Sequence, residues 1–392
     1  MHILLLPSWY PKTHDDISGV FFRDQAIALL NKQGHKVGVI APQLRSLRTL
    51  FHKCDSTSSF KSFENDQGIL TYRHEIFALL PRIPYGNYWL LKQAAKALLK
   101  RYIIENGKPD VLHAHAAIYG GAAGAELSEE FEIPLVLTEH STGFARDLYQ
   151  SWQLKLAERA MLGARSCIAV SPALGELLNK QFPKTKQQWK WIPNMVADRF
   201  NHQRDLKDNN RAVRFINLAL MTKKKGQVDL IQAFSELIHH GMNAELWLAG
   251  DGPIRNELEQ LAMALGIADS VRFLGLIDPD NVPKLLTEVD VMVISSHYET
   301  FGVVAAEALM AGLPVVATRC GGPECIVAQG DGLLVPPGQP YKLKEALFSV
   351  GSRLSEYNPV AIAERAKARF SAEAVAYQLT VEYKNILSPV TS

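Results

Sequence analysis

The stretch HYETFGVVAAEALMAGLPVV, residues 297–316, decides how we interpret the fold of this chain. The run VDVMVISS, residues 289–296, has the length and β-branched content of a strand, and residues 302–312 have the alanine, leucine and methionine content of a helix. Strand, loop and helix therefore follow in order. Glu299 falls in the loop at the carboxyl end of this strand, where open α/β sheets bind ligands.

The start of this predicted helix has the features of an anion site. The first backbone N–H groups, those of Gly302, Val303 and Val304, have no partner within the helix, and Gly302 has no side chain to block a close approach. Glu307 lies five residues further on, roughly 7–8 Å along the axis, where it could accept hydrogen bonds from ribose hydroxyls. The alternative is two surface glutamates near a helix start, where acidic residues are favoured anyway.

Alternating strands and helices run through the whole chain of 392 residues. This alternation predicts an α/β protein of two Rossmann-like, doubly wound parallel-sheet domains that face each other across a cleft. Pro193 and Asn194 interrupt it, so we expect one domain over residues 1–193 and a second over residues 194–372. Residues 43–68 are polar and serine-rich, and we expect an insertion or mobile loop there rather than a strand.

Charge is distributed unevenly along the chain. The net charge is +2, but residues 1–195 hold 23 basic and 17 acidic side chains, so they carry +6 and the remainder carries −4. We expect the first half to meet an anionic membrane surface or a phosphate-bearing acceptor rather than nucleic acid, because no nucleic-acid motif accompanies the charge. Four basic residues and an aromatic flank in the predicted helix 87–107 favour interfacial membrane contact, although a solvated face on a packed helix explains them equally. These residues are Lys92, Lys96, Lys100 and Arg101.

Composition also bears on the cell compartment. Four scattered cysteines without a CxxC pair predict reduced thiols rather than a disulfide framework or a zinc site. The segment HILLLP lacks the basic leader and the length of a signal peptide, and no stretch has the ~18–20 apolar residues of a membrane span. We therefore expect a cytoplasmic protein with at most peripheral contact to the inner face of a membrane.

Three other positions could hold an anion or a sugar. Gly19 lies at the turn between the first strand and helix, where a glycine lets backbone amides approach a phosphate. The turn TKKKG, residues 222–226, follows the first strand of the second half, so its lysines could neutralise a pyrophosphate, although a solvated basic turn has the same composition. His140 ends the predicted strand PLVLTEH at the carboxyl edge of its sheet.

Two patterns suggest metal binding but have simpler explanations. His113 and His115 share one face of a strand, but no third ligand follows at ligand spacing, so core or loop histidines are favoured. Asp278 and Asp280 resemble the paired aspartates that hold a divalent metal in some sugar transferases, yet they precede Pro283 and a helix. That position favours turn and N-cap roles, and we predict no metal site.

Together these motifs resemble those of the retaining glycosyltransferases of family 4, which have the GT-B fold, over essentially the whole chain. The two glutamates of ETFGVVAAE are the strongest match. They are joined by SGVF at 18–21, TEH at 138–140, IPN at 192–194, GDGP at 250–253 and GGPE at 321–324. Such an ordered set is far more specific than any single member.

The resemblance implies an acceptor on the N-terminal domain, a nucleotide donor on the C-terminal domain, and a last helix, about residues 373–392, that packs back onto the N-terminal domain. It implies that Glu299 and His140 lie beside the donor sugar. The other implied donor contacts are Gly19 and Lys225 at the diphosphate, Phe301, Gly302, Val303 and Val304 at the phosphates, Glu307 at the ribose, Leu276 near the base, and Gly252 in the GDGP block.

One position departs from the family pattern. Leu220 stands where an arginine is usual, five residues before Lys225. Neutralisation of the phosphates then rests on Lys225, with Lys223 or Lys224 as possible helpers.

The activity that the resemblance implies is that of a retaining, metal-independent hexosyltransferase without a cofactor. Its donor would be a UDP or GDP sugar, and its acceptor a glycan or lipid-linked hydroxyl in bacterial surface polysaccharide or glycolipid assembly. A nucleotide-sugar epimerase on a similar scaffold and a non-catalytic nucleotide-sugar-binding subunit are the alternatives. The sequence specifies neither the sugar, the base nor the acceptor.

Overall fold

The computed structural model describes residues 1–11, 16, 19–46, 61–80, 83–200 and 211–388. The chain divides into two compact units, Met1–Pro193 with Ala372–Ser392 and Asn194–Ser371. The break after Pro193 is where the sequence places the domain boundary, and the last helix groups with the first unit.

A parallel sheet with one antiparallel edge strand forms the centre of the first unit. Its described strands are β1 His2–Pro7, β2 Lys36–Arg45, β3 Lys61–Asp66, β4 Ile69–Phe77, β5 Val111–His115, β6 Leu135–Glu139, β7 Ser166–Ala169 and β8 Trp189–Trp191. They lie in the order β3-β4-β2-β1-β5-β6-β7-β8. The strands β5, β6 and β7 are buried throughout, as expected for parallel strands covered on both faces.

The strand β3 corrects the expectation of a loop over residues 43–68. β3 pairs antiparallel with β4, and β2 continues to Arg45 in parallel register with β4. The polar composition that suggested a loop is that of an edge strand with one exposed side, which tolerates charged side chains. Residues 47–60 of that prediction lie outside the described part of the chain.

Helices cover this sheet, and one of them comes from the end of the chain. They are α1 Val20–Gln33, α2 Gly86–Asn106, α3 Ala122–Phe131, α4 Ser151–Gly163, α5 Pro172–Gln181 and α12 Ala372–Leu387. The helix α12 is fixed to the first unit by buried polar contacts. His35 Nε2 lies 2.8 Å from Thr380 Oγ1, and His113 Nδ1 lies 2.7 Å from the Tyr383 hydroxyl.

The helix α2 is a packed helix with a paired charged face. Its apolar residues Leu91, Leu98 and Leu99 are buried in the first unit. Lys92 forms an ion pair with Glu126 at 2.8 Å. Two further pairs follow along the same helix, Lys96 with Glu130 and Arg101 with Glu105. For these basic residues the structure therefore favours the solvated-face interpretation over an interfacial one.

The second unit is built around a fully parallel sheet. Its described strands are β9 Val213–Leu218, β10 Ala244–Ala249, β11 Val271–Gly275, β12 Val291–Ile294, β13 Val315–Thr318 and β14 Gly332–Val335. They lie in the order β11-β10-β9-β12-β13-β14. Its helices are α6 Gln227–His239, α7 Arg255–Ala264, α8 Val282–Thr287, α9 Val303–Met310, α10 Pro340–Ser352 and α11 Pro359–Phe370.

The core of the second unit lies between this sheet and its helices. Phe215, Leu246 and Val291 from the strands pack with Leu230 of α6 and Leu347 of α10, and all five side chains are fully buried. None of the described helices in either unit is long and apolar enough to cross a membrane.

Each sheet has one topological switch point. It lies between two neighbouring strands whose connections to the next strand run in opposite directions along the sheet. In the first sheet it lies between β1 and β5, and in the second between β9 and β12. Open α/β sheets bind ligands outside the carboxyl ends of strands at such points. A ligand site is therefore expected at the loops that follow these four strands.

Candidate functional site

Four loops of the second unit bring most of the predicted donor residues to one edge of the sheet. Leu276 follows β11, Gly252 follows β10, Lys225 follows β9, and Glu299 follows β12. Since these strands are neighbours in the order β11-β10-β9-β12, the four residues lie in that order along the carboxyl edge. The edge can therefore receive an elongated ligand.

Glu299 is held between two loops. Its backbone N–H donates to the Cys320 carbonyl at 3.0 Å, and its own carbonyl accepts from the Gly322 N–H at 2.9 Å. Its carboxylate accepts from the Ser296 hydroxyl at 2.7 Å and from Lys225 Nζ at 2.5 Å. The two predicted residues of opposite charge thus meet across the switch point, and 12% of the glutamate side chain remains exposed.

The turn that carries Lys225 is fastened to the neighbouring loop. Residues Lys223–Lys225 form a single helical turn before α6. The Ser295 hydroxyl donates to the Lys225 carbonyl at 2.8 Å, and the His297 N–H donates to the Lys224 carbonyl at 2.8 Å. These bonds fix the backbone below the lysine side chain. Leu220, in place of the family arginine, is 61% exposed and supplies no charge.

The start of α9 has the backbone conformation that an open amide site requires. Gly302 precedes the helix with φ 87° and ψ 57°, a left-handed conformation that favours glycine, and no side chain of the described residues caps the first turn. Val303 and Val304 form that first turn and are half-buried, and Glu307 lies one turn further on, also half-buried. The amides of this turn and the helix dipole favour a bound anion.

Phe301 contributes to the site through its backbone alone. Its ring is buried at 1% exposure and packs edge-on against Phe370, with 5.9 Å between ring centroids. The side chain anchors the loop to α11 and is closed to any ligand. The sequence placed Phe301 at the phosphates, and only its peptide groups remain available for that role.

Gly252 and Leu276 complete this edge. A Cβ on Gly252 would lie 2.3 Å from the Met221 carbonyl oxygen, so the close approach of the two loops requires glycine. A hydrogen bond joins the same two loops, in which the Met221 N–H donates to the Asp251 carbonyl at 2.8 Å. Leu276 is 74% exposed and open to a planar group. Gly252 thus has a structural role in addition to any ligand contact.

The loop that carries His140 in the first unit is organised by a buried carboxylate. Glu139 is fully buried, and it accepts hydrogen bonds from the backbone N–H groups of Ala117, His140 and Ser141 at 2.7, 2.8 and 2.7 Å. Burial raises the pKa of this carboxyl, and the three N–H donors oppose that shift. Glu139 therefore joins the loop after β5 to the loop after β6.

The ring of His140 lies next to the start of α1. Its centroid is 5.2 Å from that of Phe21 and 5.4 Å from that of Phe22. Gly19, with φ 82°, caps the same helix. The structure therefore brings together two residues, Gly19 and His140, that are separate in the sequence.

His113 and His115 are core residues. The sequence favoured this interpretation over a metal pair. Both are fully buried, and both nitrogens of His113 are engaged, one by Tyr383 and one by the Thr138 hydroxyl at 2.8 Å. Burial lowers the pKa of His113 to about 3 and that of His115 well below its usual 6.5, so both rings are neutral near pH 7.

Sequence reasoning missed that His115 contacts His140. Its Nδ1 lies 3.1 Å from His140 Nε2. The available signal was strand register, because β5 and β6 are neighbours and His115 lies opposite Thr138, two residues before His140.

The DPD segment has the turn role expected of it. The Asp278 side chain accepts from the Asp280 N–H at 2.9 Å and caps the short turn before α8. In the described ranges, no three histidine, cysteine or acidic side chains are grouped as a metal site would require.

Family models and relatives match both units. The model for glycosyl transferases group 1 matches residues 198–353, and that for glycosyltransferase family 4 matches residues 20–200. An uncharacterized glycosyltransferase of Methanocaldococcus jannaschii is 32% identical over 297 residues, which cover 71% of this chain and 74% of the relative. A Bacillus subtilis protein, provisionally named a teichuronic acid biosynthesis glycosyltransferase, is 27% identical over 365 residues and 88% of each chain.

Solved structures share the fold over nearly the full length. Sucrose-phosphate synthase from Thermosynechococcus elongatus superimposes with a TM-score of 0.76 at 21% identity, covering 98% of this chain and 99% of that one. The HepE protein of Anabaena in complex with UDP gives 0.72 at 20% identity, covering 98% and 100%. Both units therefore have the architecture of GT-B enzymes.

Proposed function

This chain belongs to the group 1 and family 4 glycosyltransferases, and we propose that it is a retaining enzyme that uses a nucleotide-diphosphate sugar. It transfers the sugar to a hydroxyl of a glycan or lipid-linked acceptor. The observation that carries this proposal is the meeting of Glu299 and Lys225 at the switch point of the second sheet, beside the start of α9. A carboxylate, an ammonium group and free helix amides are what a diphosphate and a reacting sugar need together.

The order of loops along the edge suggests how the donor lies. The base would stack near Leu276, the diphosphate would lie between Lys225 and the first amides of α9, and Glu307 would accept hydrogen bonds from the ribose. Lys225 is the charge that faces the phosphates, because Leu220 supplies none.

The ion pair between Lys225 and Glu299 changes when the donor binds. A diphosphate carries more negative charge than a carboxylate, so it draws the ammonium group toward itself. Glu299 then loses one hydrogen bond and can accept from the sugar instead. The pair thus keeps both charges neutralised until the donor arrives.

Catalysis in this proposal is mainly electrostatic. As the bond between sugar and phosphate breaks, positive charge develops on the sugar, which Glu299 stabilises, and negative charge develops on the phosphate, which Lys225 and the α9 amides stabilise. The acceptor hydroxyl attacks from the face that the nucleotide leaves, and a departing phosphate oxygen takes its proton. Attack on that face retains the configuration of the sugar. We further propose, from the match of the TEH motif at 138–140, that His140 acts on the donor sugar.

The comparisons support the donor class and the setting. The HepE protein of Anabaena has been solved with UDP and with UDP-glucose. The Bacillus subtilis relative is named for teichuronic acid biosynthesis, and a Rhizobium meliloti relative for lipopolysaccharide core biosynthesis. We therefore propose a UDP or GDP sugar as donor and a role in surface polysaccharide or glycolipid assembly.

Two measurements test this proposal. A panel of nucleotide sugars is first scored for thermal stabilisation, since a ligand that binds the folded state raises the melting temperature according to its occupancy. Turnover of the best donor is then followed with and without a glycan or glycolipid acceptor. Turnover that requires the acceptor supports a transferase. Turnover without an acceptor would indicate an epimerase, and binding without any turnover a non-catalytic subunit.

We also propose that the first unit contacts an anionic membrane, through the start of α2 rather than its basic face. Ile83, Tyr85 and Trp89 are exposed there, Trp89 by 53%. The Tyr85 ring packs against Trp152 with 5.3 Å between centroids. Tryptophan and tyrosine favour the membrane interface because their rings are amphipathic.

Vesicle sedimentation with the full chain tests this contact. We expect Trp89→Ser with Ile83→Ser to lower binding to anionic vesicles severalfold. Ile104→Ser is the matched control, because Ile104 is 84% exposed at the other end of the same helix. Equal binding of wild type and the double variant would contradict the proposal.

A further inference from the structure

We propose that His115 is a positioning residue that fixes the tautomer and the ring orientation of His140. His115 does not itself reach the ligand, because it is fully buried at the end of β5. It acts through the hydrogen bond between its Nδ1 and His140 Nε2, at 3.1 Å. This inference rests on the proposed function, which places His140 beside the transferred sugar.

The ring of His115 is held from several sides. Its centroid lies 4.7 Å from that of Phe22 and 4.2 Å from that of His113. Its backbone carbonyl accepts from the Ser8 N–H at 3.1 Å and from the Ser8 hydroxyl at 2.9 Å. Such packing leaves the ring no room to turn. The direction of the Nδ1 atom is therefore set by the fold.

Burial decides which nitrogen of His115 carries the proton. The ring is neutral because burial lowers its pKa, so one nitrogen has a hydrogen and the other a lone pair. Nε2 is buried and has no hydrogen-bond partner among the residues that the structure describes. A buried N–H without a partner is rarer and costlier than an unused acceptor. The hydrogen therefore belongs on Nδ1, which donates to His140.

This donor dictates the state of His140. Its Nε2 must accept, so a neutral His140 carries its own hydrogen on Nδ1. Glu139 fixes the backbone of the same residue by accepting its N–H at 2.8 Å. His140 is thus fixed at its ring by His115 and at its backbone by Glu139, with the ring hydrogen on Nδ1. Without His115, the hydrogen bond that selects this tautomer is lost.

The tautomer can be observed directly, and without any substrate. We would label the imidazole nitrogens of the full chain with 15N and record their shifts above pH 7.5, identifying His140 from the signals lost in His140→Gln. We expect the Nδ1–H tautomer in the wild type and its loss in His115→Leu. His115→Asn should retain it, because the asparagine amide nitrogen takes the place of Nδ1 and still donates.

Activity provides the second measurement. We expect His115→Leu to lower kcat by about tenfold or more at an unchanged donor KM, because a misplaced contact costs rate rather than nucleotide binding. His115→Asn should recover most of the loss. His113→Asn is the control, since His113 is equally buried on the same strand and bonds to Tyr383 and Thr138 instead.

The outcomes separate the two claims. An Nε2–H tautomer of His140 in the wild type, or a tautomer that His115→Leu leaves unchanged, overturns the inference. If His115→Leu does not fold, the wild-type and His115→Asn spectra still decide it. If the tautomer responds as expected while His140→Gln keeps full activity, the inference about His115 stands and the proposed placement of His140 fails.

Discussion

The two units have the same kind of sheet, but the side chains at its carboxyl edge differ in charge and in burial. In the first unit the switch point has a buried neutral ring, that of His115, which contacts the half-buried His140. In the second unit it is lined by a charged pair, Lys225 and Glu299, and by the open start of α9.

We infer from this difference that the two units have different tasks. Charged groups at a solvated edge can exchange partners, so the second unit is suited to hold a diphosphate. Neutral, buried groups keep fixed directions, so the first unit is suited to orient hydroxyls of a sugar or an acceptor. The following predictions test whether the division is real.

The largest expected effect is on nucleotide binding by the second unit. Lys225→Ala should weaken binding of the nucleoside diphosphate by about 1.5–3 kcal/mol, the value of a charge-assisted contact. Isothermal calorimetry measures it, and Lys223→Ala is the control, because Lys223 is exposed on the same turn. A loss of nucleotide affinity in Lys223→Ala and none in Lys225→Ala would assign the phosphate contact to Lys223. It would contradict the proposed role of Lys225.

The next prediction concerns acid stability and separates the two units. The folded pKa values of His113 and His115 are lowered, so between pH 6.5 and 5 the unfolded chain binds more protons and stability falls as pH falls. The raised pKa of Glu139 acts in the opposite sense. The lowered histidines outnumber this one carboxyl, so we expect the first unit to lose stability from pH 7 to pH 5.

Hydrogen exchange of the full chain, corrected for the intrinsic pH dependence, measures this loss strand by strand. Protection should fall in β5 and stay nearly constant in β12, because the two fully buried histidines, His113 and His115, lie on β5. An equal change in both strands would show that buried histidines do not distinguish the units.

The smallest expected effect is that of chelation. Since Asp278 and Asp280 form a turn, and Lys225 with the α9 amides can neutralise the diphosphate, removal of divalent ions should leave transfer largely intact. The assay compares initial rates with and without a chelator. Loss of activity that magnesium or manganese restores would assign a metal to the second unit and reopen a role for these aspartates.

Sequence could predict what is local in this molecule. The loop from Glu299 to Val304 was predictable because the strand, the glycine and the helix that define it are contiguous. The domain break after Pro193 was predictable for the same reason, since the alternation of strands and helices stops there.

Contacts between distant segments could not be predicted from the sequence. The pair of Lys225 and Glu299 joins loops 74 residues apart, and it depends on β9 and β12 being neighbours. The contact of His115 with His140 depends likewise on the register of β5 and β6. The burial of Phe301 was missed because its partner, Phe370, lies on a helix that the local pattern does not connect to it.

The central claim is that the second unit uses its two glutamates differently, one on the reacting sugar and one on the ribose. It is tested most directly by measuring nucleoside diphosphate affinity and single-turnover rate on Glu299→Gln and Glu307→Gln. We predict that Glu299→Gln lowers the rate by about 10²–10³-fold while the nucleotide still binds, because the lost interaction belongs to the transition state. Glu307→Gln should weaken binding of the bare nucleotide. Equal losses of affinity in the two variants, or full activity in Glu299→Gln, would contradict the account.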